Sequence, residues 1–351
     1  MVIVLSVLSA LLILSVFISL VRNDFWFFRV FEYPRLQKTV LVMVTLACWL
    51  FYWPLDLLVY KVLVGGLVAC VCYLFYNIYP YTIIAKKEMT LVRGGDQKNE
   101  ITIFAANVLQ TNTGYANMLA QIKSCDPDII FLLETNKAWA DGVRELSTKY
   151  PYQLLEPLEN TYGLLFFSRF KLKNGKVNYL VQNDIPSIET TLYLPSGQAV
   201  QIWGLHPEPP VPGENLYTTA KDKELMKVAL KVRNCDKPCF VFGDLNDVAW
   251  SYSTELFRKT SRLLDPRRGR GFYSTFSAHH WFLRFPLDYI FCSRHFGLIG
   301  MKRMPKNDSD HFATFTQLAF KPELKEQQEA PKADREEMEK ATELATQPVD
   351  K

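Results

Sequence analysis

Strong charge of either sign, a cysteine framework and internal repeats are all missing from these 351 residues. The formal net charge is +4, from 40 basic and 36 acidic side chains. Over this length that balance does not by itself imply nucleic-acid binding. The seven cysteines follow no disulfide spacing. Cys48, Cys70 and Cys72 lie in apolar segments, where a thiol is a small hydrophobe. Cys235 and Cys239 are close, but they lack the second ligand pair of a structural zinc site. All seven, with Cys125 and Cys292, are expected as free thiols. Without a repeat period, solenoids and arrays are excluded. Met1–Ile3 carries no basic group, so the first apolar run does not begin as a cleavable signal does.

What the chain does have is segregation. Residues 1–87 are dominated by apolar and aromatic side chains, 88–100 form a polar linker with Gly94 and Gly95, 101–320 read as a mixed globular domain, and 321–351 are almost entirely polar. Met1–Val21 is an uncharged run long enough to span a bilayer. A second run covers Thr39 to Trp53, with Pro54 and Asp56 near its end, and a third covers Val62–Ile84. Three such runs in tandem predict three transmembrane helices and a lipid bilayer as partner. Arg22, Arg29, Arg35 and Lys38 in the first connection share a side with Lys86, Lys87 and Arg93. The positive-inside rule then places the C-terminal domain in the cytoplasm. Phe25-Trp26-Phe27-Phe28 suits interfacial anchoring. The tail, with Glu336, Glu337, Glu339 and Lys340, is expected to be disordered or a solvated helix.

Within the globular part, Ile101–Val108 is apolar on both faces, as a strand buried on two sides must be. The pattern continues with a helix over Gly114–Ser124, a strand over Asp128–Thr135, a helix near Lys137–Tyr150 and a strand over Tyr162–Phe170. Strands at Ser187–Leu194 and Ala199–Leu205 follow, joined through Ser196-Gly197, then a helix over Leu216–Val232. Pro238–Gly243, Leu287–Cys292 and Phe312–Phe320 complete the set. Strict βα alternation is absent, which favours a layered α/β sandwich over a doubly wound sheet.

Polar residues recur where these strands end. Asn107 follows Ile103–Ala106, Glu134 follows Ile129–Leu133, and His206 follows Ile202–Leu205. Asp244 and Asn246 follow Phe240–Gly243, Asp288 opens Tyr289–Phe291, and Asp310-His311 opens the last strand. One acid at a strand end means little, because strand ends meet water and turns favour Asp and Asn. Six such ends are harder to dismiss, since neighbouring parallel strands gather their ends on one rim. In extended backbone Asp244 and Asn246 point the same way. Gly243 leaves room for a close approach by a ligand or another strand. Asp310 and His311 share a site only if the backbone is irregular there, which Asn307-Asp308-Ser309 permits. The set Glu134, Asp244, Asp310, Asn107 and Asn246 is rich in oxygen, suiting Mg²⁺ or Mn²⁺ and not zinc.

The strings Ala105-Ala106-Asn107-Val108, Asp128–Glu134, Gly243-Asp244-Leu245-Asn246, Leu287-Asp288-Tyr289-Ile290 and Ser309-Asp310-His311 resemble, in order, the motifs of the endonuclease/exonuclease/phosphatase superfamily. The Leu205–Pro210 run and apolar N-terminus resemble more specifically a bacterial branch with membrane spans, implying a bacterial inner membrane. Two departures are mild: Leu245 stands where many relatives have Phe, and Ala106 where several have an aromatic. The resemblance implies an α/β four-layer sandwich of two packed mixed sheets flanked by helices. It implies metal binding at Glu134, with Asn107 and Asp310 in the metal region. Asp244 would orient or deprotonate the attacking water, Asn246 would hold that water or a phosphate oxygen, and His311 would contact the scissile phosphate or shuttle a proton. Asp288 would set the His311 tautomer, and His206 would face the phosphate from the other side.

The expected activity is therefore metal-dependent hydrolysis of a phosphate ester, nuclease-like on a phosphodiester. The alternatives are hydrolysis of a phospholipid or other membrane phosphate, and a non-catalytic membrane adaptor. The complete polar set argues against the adaptor. No protein partner is indicated. Ser168-Arg169, the Arg267–Gly271 loop and His279–Phe282 with Arg284 are weaker candidates for phosphate or bilayer contact.

Overall fold

The computed structural model describes residues 1–53 and 56–349; Pro54, at the end of the second expected span, lies outside them. The chain opens with four helices, α1 (Val2–Ile18), α2 (Trp26–Val30), α3 (Arg35–Leu50) and α4 (Leu58–Ile78). Then come β1 (Glu100–Asn107), α5 (Tyr115–Cys125), β2 (Ile129–Leu133), α6 (Lys137–Gly142), β3 (Tyr152–Glu156), β4 (Leu164–Ser168) and β5 (Leu172–Asn178). β6 (Ser187–Tyr193), β7 (Ala199–Leu205), α7 (Thr219–Arg233), β8 (Cys239–Asp244) and α8 (Tyr252–Ser261) follow. The last elements are β9 (Asp288–Cys292), β10 (Phe296–Arg303), β11 (Thr314–Phe320), α9 (Leu324–Gln327) and α10 (Arg335–Thr346).

Two mixed sheets form the middle of the domain, in the orders β10-β11-β1-β2-β4-β3 and β5-β6-β7-β8-β9. Period-two alternation sorts the side chains of each inner strand. In β2, Ile129, Phe131 and Leu133 enter the core between the sheets, while Ile130 and Leu132 meet the outer helices with Met118 and Trp139. In β8, Phe240 and Phe242 face the first sheet, and Cys239 and Val241 face α7 and α8. Phe131 and Phe242 meet across the sandwich at 4.9 Å between ring centroids. The result is the expected four-layer sandwich. All seven cysteines are free.

β1 and β2 run parallel, as do β7 and β8. β9 and β11 run antiparallel to β8 and β1, pairing Asp244 with Asp288 and Ala105 with Thr314. Four strands thus end, and two begin, on one rim. β8 can approach β7 closely because Gly243 has φ +133° and a Cβ there would overlap the Leu205 carbonyl oxygen.

The tail expectation needs correction. Residues 335–346 form α10, started by a capping box between Asp334 and Glu337. Its Ala341, Leu344 and Ala345 pack into the core beside α7 and α8. Three small or apolar residues at helical spacing are hidden among charges, so the segment reads as solvent-facing although one stripe is buried.

α1, α3 and α4 form a bundle around Leu12, Val42, Trp49, Leu67 and Leu74, with the Trp49 indole donating to Ser9 Oγ at 3.0 Å. Among the described residues one helix, Leu58–Tyr81, is long and apolar enough to cross a membrane. α1 and α3 are shorter, at 17 and 16 residues. The segment between α1 and α3 docks on the globular domain. The Trp26 amide donates to the Leu216 carbonyl at 2.7 Å, and an Arg35 Nη1 donates to the Trp250 carbonyl at 2.7 Å.

α7 carries a pH-dependent load. Burial pushes the Glu224 carboxyl up to about 8, and one of its oxygens has no hydrogen-bond partner. With the folded value above the unfolded one, the native state holds the extra proton between roughly pH 4.5 and pH 8. Stability therefore falls as pH rises through that window. Glu224→Gln is expected to leave stability unchanged near pH 4. It should raise stability by on the order of a few kcal/mol above pH 8. Thermal melts of both proteins across pH 5 to 9 check it; parallel curves would count against this origin.

Candidate active site

Each expected residue is set by the rim. Asn107 is the last residue of β1, and Glu134 follows β2 with φ +57°, a left-handed conformation that non-glycine residues adopt at a cost. This turn aims the Glu134 carboxylate back at Asn107, whose Nδ2 donates to Glu134 Oε1 at 2.6 Å and to Asp244 Oδ2 at 3.2 Å. One amide thus ties the two sheets together at the rim. Asn107 is fixed in turn by Ser309, whose hydroxyl donates to its carbonyl at 2.9 Å and accepts the His311 amide at 3.0 Å. Asp310 lies close enough for its charge to act on both Glu134 and His311.

His311 sits between two carboxylates. Its Nδ1 lies 2.9 Å from Asp288 Oδ2, and its Nε2 lies 3.6 Å from Asp244 Oδ2. Burial disfavours the charged ring, but Asp288 and Asp244 overcome it and push the imidazole up to about 10. Burial, with Asp288 alongside, raises Asp244 above the usual carboxylate range, and His311 opposes the rise. His206 is also buried, and desolvation together with the neighbouring His311 lowers it to about 3. It is neutral, with Nδ1 unpartnered and its ring 5.3 Å from that of Tyr162. Two neighbouring histidines thus differ in charge, one neutral and one cationic.

Asn246 departs from the extended geometry the spacing implied. The strand stops at Asp244, and Asn246 has φ +50° with its amide on Asp244 Oδ1 at 2.9 Å. Its side chain donates to the Pro207 carbonyl at 2.9 Å, holding the loop after β7. Three arginines among the weaker candidates are taken up in ion pairs, although Arg267 also donates to the Asp288 carbonyl at 3.2 Å. Arg169 pairs with Asp126, Arg267 with Asp265, and Arg268 with Glu255.

Sequence reading missed a layer beneath the site. Tyr33, from the segment between α1 and α3, donates its hydroxyl to the Asn246 carbonyl at 2.7 Å. The fully buried Lys221 bridges Asp222 and Asp247, and Asp222 also meets Arg29. Asp247 adjoins Asn246, which was a usable signal. Tyr33 lies 213 residues from Asn246 and Lys221 lies 26 from Asp247, and no local pattern marks either pairing.

The donor set fits a hard cation. Glu134 is raised by burial and makes no ion pair within 4.0 Å among the described residues; its two closest donors are the Asn107 amide and the Gln110 backbone. Four carboxylates, Glu134, Asp244, Asp288 and Asp310, converge against the single imidazolium of His311. Buried negative charge of that density calls for a counter-ion. Asp244, Asp288 and His311 offer ligand atoms within 4.8 Å of one another. Because both His311 nitrogens already face carboxylates, oxygens near Glu134 are the better metal donors.

A sequence profile described as the Endonuclease/Exonuclease/phosphatase family matches residues 92–311. No curated protein matches the sequence. Among solved structures, an endonuclease/exonuclease/phosphatase from Beutenbergia cavernae is similar over 64% of this chain and 72% of its own, with 16% identity and TM-score 0.52. The human Nocturnin catalytic domain with bound sulfate is similar over 66% and 97%, with 19% identity and TM-score 0.52. D. rerio TDP2 complexed with a single-strand DNA product is similar over 62% and 98%, with 15% identity and TM-score 0.52. At these identities the structures speak for the fold.

Proposed function

Because the chain belongs to the endonuclease/exonuclease/phosphatase family, and is thereby a hydrolase of phosphate esters, we propose that it is a membrane-anchored phosphodiesterase using a divalent hard cation and an activated water. The observation that carries this reading is the joining of Glu134 to Asp244 through Asn107, beside the Asp288–His311–Asp244 series. Glu134, with Asp310 and the Asn107 region, would hold Mg²⁺ or Mn²⁺. Bound there, the cation would neutralise charge on a non-bridging phosphate oxygen.

The chain's own groups supply the rest. Asp244, made more basic by burial and by Asp288, accepts the proton of the attacking water. The His311 imidazolium, oriented by Asp288, hydrogen-bonds a phosphate oxygen as negative charge develops. Neutral His206 offers a second contact from the far side, and Asn246 keeps the loop carrying Asp244 closed on Pro207.

Membrane anchoring is supported by the helices' outer faces. Ile3, Val40, Leu41, Leu58 and Val62 are exposed around the bundle, an apolar area with no soluble rationale. The α1–α3 segment and the end of α4 both meet the domain, in line with an odd number of crossings. Both basic segments then lie on the domain side, in line with a cytoplasmic active site in a bacterial inner membrane.

The test uses the full chain in detergent with plasmid DNA, RNA, phospholipids and bis(p-nitrophenyl) phosphate. Hydrolysis of at least one phosphodiester is expected with Mg²⁺ or Mn²⁺ and not after chelation. Activity unaffected by chelation would sink the metal-dependent reading.

A further inference from the structure

Between the helix bundle and the domain lies a groove of about 1220 Å³, larger than a typical small-molecule pocket. Leu12, Leu36, Val40 and Leu41, with Lys38 among them, form its bundle side, and Trp281 and Phe282 project from the facing loop. Trp281 is 81% exposed and Phe282 52% exposed, a pair of large apolar side chains held out at the level of the bundle. Soluble surfaces seldom present such a patch without a use for it.

The other wall is cationic. Arg270, Arg284 and Arg303 line it, and no Asp or Glu does. None of the three forms an ion pair within 4.0 Å among the described residues, in contrast to Arg267 and Arg268 of the same loop. Arg270 donates only to the Pro266 and Met89 carbonyls, and Arg303 to the Ser274 carbonyl at 2.8 Å. The Arg284 Nε is buried without a partner. Arg284 and Arg303 both lie over the Phe312 ring, at 5.1 and 4.2 Å from its centroid. Two guanidiniums sharing one ring repel each other, and burial together with Arg284 pulls Arg303 below its ordinary value. An anion in the groove would relieve both costs.

We propose that this groove binds one membrane phospholipid with an anionic headgroup, its phosphate on Arg284, Arg303 and Arg270 and its acyl chains along α1 and α3. Charge complementarity selects the occupant. A hydrocarbon wall continuous with the bundle's outer face takes the chains, and an arginine wall at its domain end takes a phosphate. A protein partner would meet no acidic residue here and would leave three guanidiniums desolvated. The site goes beyond the hydrolytic reading and does not depend on it. It adjoins that centre nonetheless, since Phe312 follows His311 and the Phe276 ring of the same loop lies 5.0 Å from that of His311.

The test is native mass spectrometry of the full chain in detergent with chelator present, so that hydrolysis plays no part. Dioleoylphosphatidylglycerol and dioleoylphosphatidylcholine are offered in equal amounts, with glycerol phosphate as a chain-free competitor. One retained phosphatidylglycerol is expected, not displaced by glycerol phosphate. Retention should fall about tenfold or more in the double variant Arg284→Gln with Arg303→Gln. Trp281→Ser with Phe282→Ser, on exposed positions that the fold does not need, should lower retention of both lipids. Equal retention of the two lipids by the wild type, unchanged retention in either variant, or displacement by glycerol phosphate would overturn the proposal. Absence of diester hydrolysis in the separate Mg²⁺ or Mn²⁺ assay, with lipid retention intact here, would count against the catalytic reading alone.

Discussion

Glu134→Gln is expected to remove metal-dependent hydrolysis, about a thousandfold or more, while leaving the metal-free protein as stable as the wild type. Activity and stability separate here for a physical reason. Without a cation Glu134 is a buried carboxylate raised by desolvation, with neutral hydrogen-bond donors, no ion pair within 4.0 Å among the described residues and only the shared charge of His311 to offset it. An amide of the same shape keeps the volume and loses the charge, so the metal-free fold gains or stays level. With Mg²⁺ the order reverses. At a hundredfold excess over Kd, binding stabilises the wild type by about 2.7 kcal/mol. That corresponds to a Tm rise of roughly 5 to 10 °C for a domain this size. The variant should show little or no rise. Calorimetry with and without Mg²⁺, beside an assay on bis(p-nitrophenyl) phosphate, reads both quantities. A variant that melts like the wild type in Mg²⁺ would remove Glu134 from the metal site.

The second large effect is expected at Asp288, which acts through His311. Asp288→Asn should lower kcat by about 10²–10⁴-fold with little change in KM. The carboxylate at 2.9 Å from Nδ1 holds the ring's orientation and, after burial is overcome, is the first of the groups that keep it charged. An asparagine can present its amide to Nδ1 and stabilise the wrong tautomer. A merely structural role would make the losses from Asp288→Asn and His311→Gln multiply. A positioning role makes them overlap, so the double variant should be about as slow as His311→Gln alone. Multiplying losses would overturn the assignment.

How much could be read beforehand follows burial. β1, β2 and β8 are covered on both faces, so their segments are nearly all apolar and visible as such. β3, β5 and β10 were not anticipated, and each is the edge of a sheet. An edge strand pairs on one side only; in β5, Leu172-Lys173-Asn174-Gly175-Lys176 is largely exposed and carries no apolar alternation. The buried stripe of α10 was masked by the charges around it, for the same reason.

The candidate site was legible at its outer ring and not within it. Asn107, Glu134, His206, Asp244, Asp288 and His311 stand at strand ends, a position that chain order alone reveals. Asn246 was visible as a residue, but its turn onto Pro207 was not, because a left-handed residue after a strand has no signature when it is not glycine. Nor did any pattern show that Tyr33 supports the Asn246 carbonyl, across 213 positions.

Residue types and their order along the chain were enough to point to the family and hence to phosphate-ester hydrolysis, and the oxygen donors at the ends of buried strands suit a hard cation. Folding alone decided the charge on each group. His206 and His311 are the same residue type, yet burial and the neighbouring His311 charge outweigh Asp288 and neutralise one, while two carboxylates outweigh burial and keep the other protonated. Ionisation depends on what lies within a few ångströms, and those neighbours come from segments that meet only when the two sheets close.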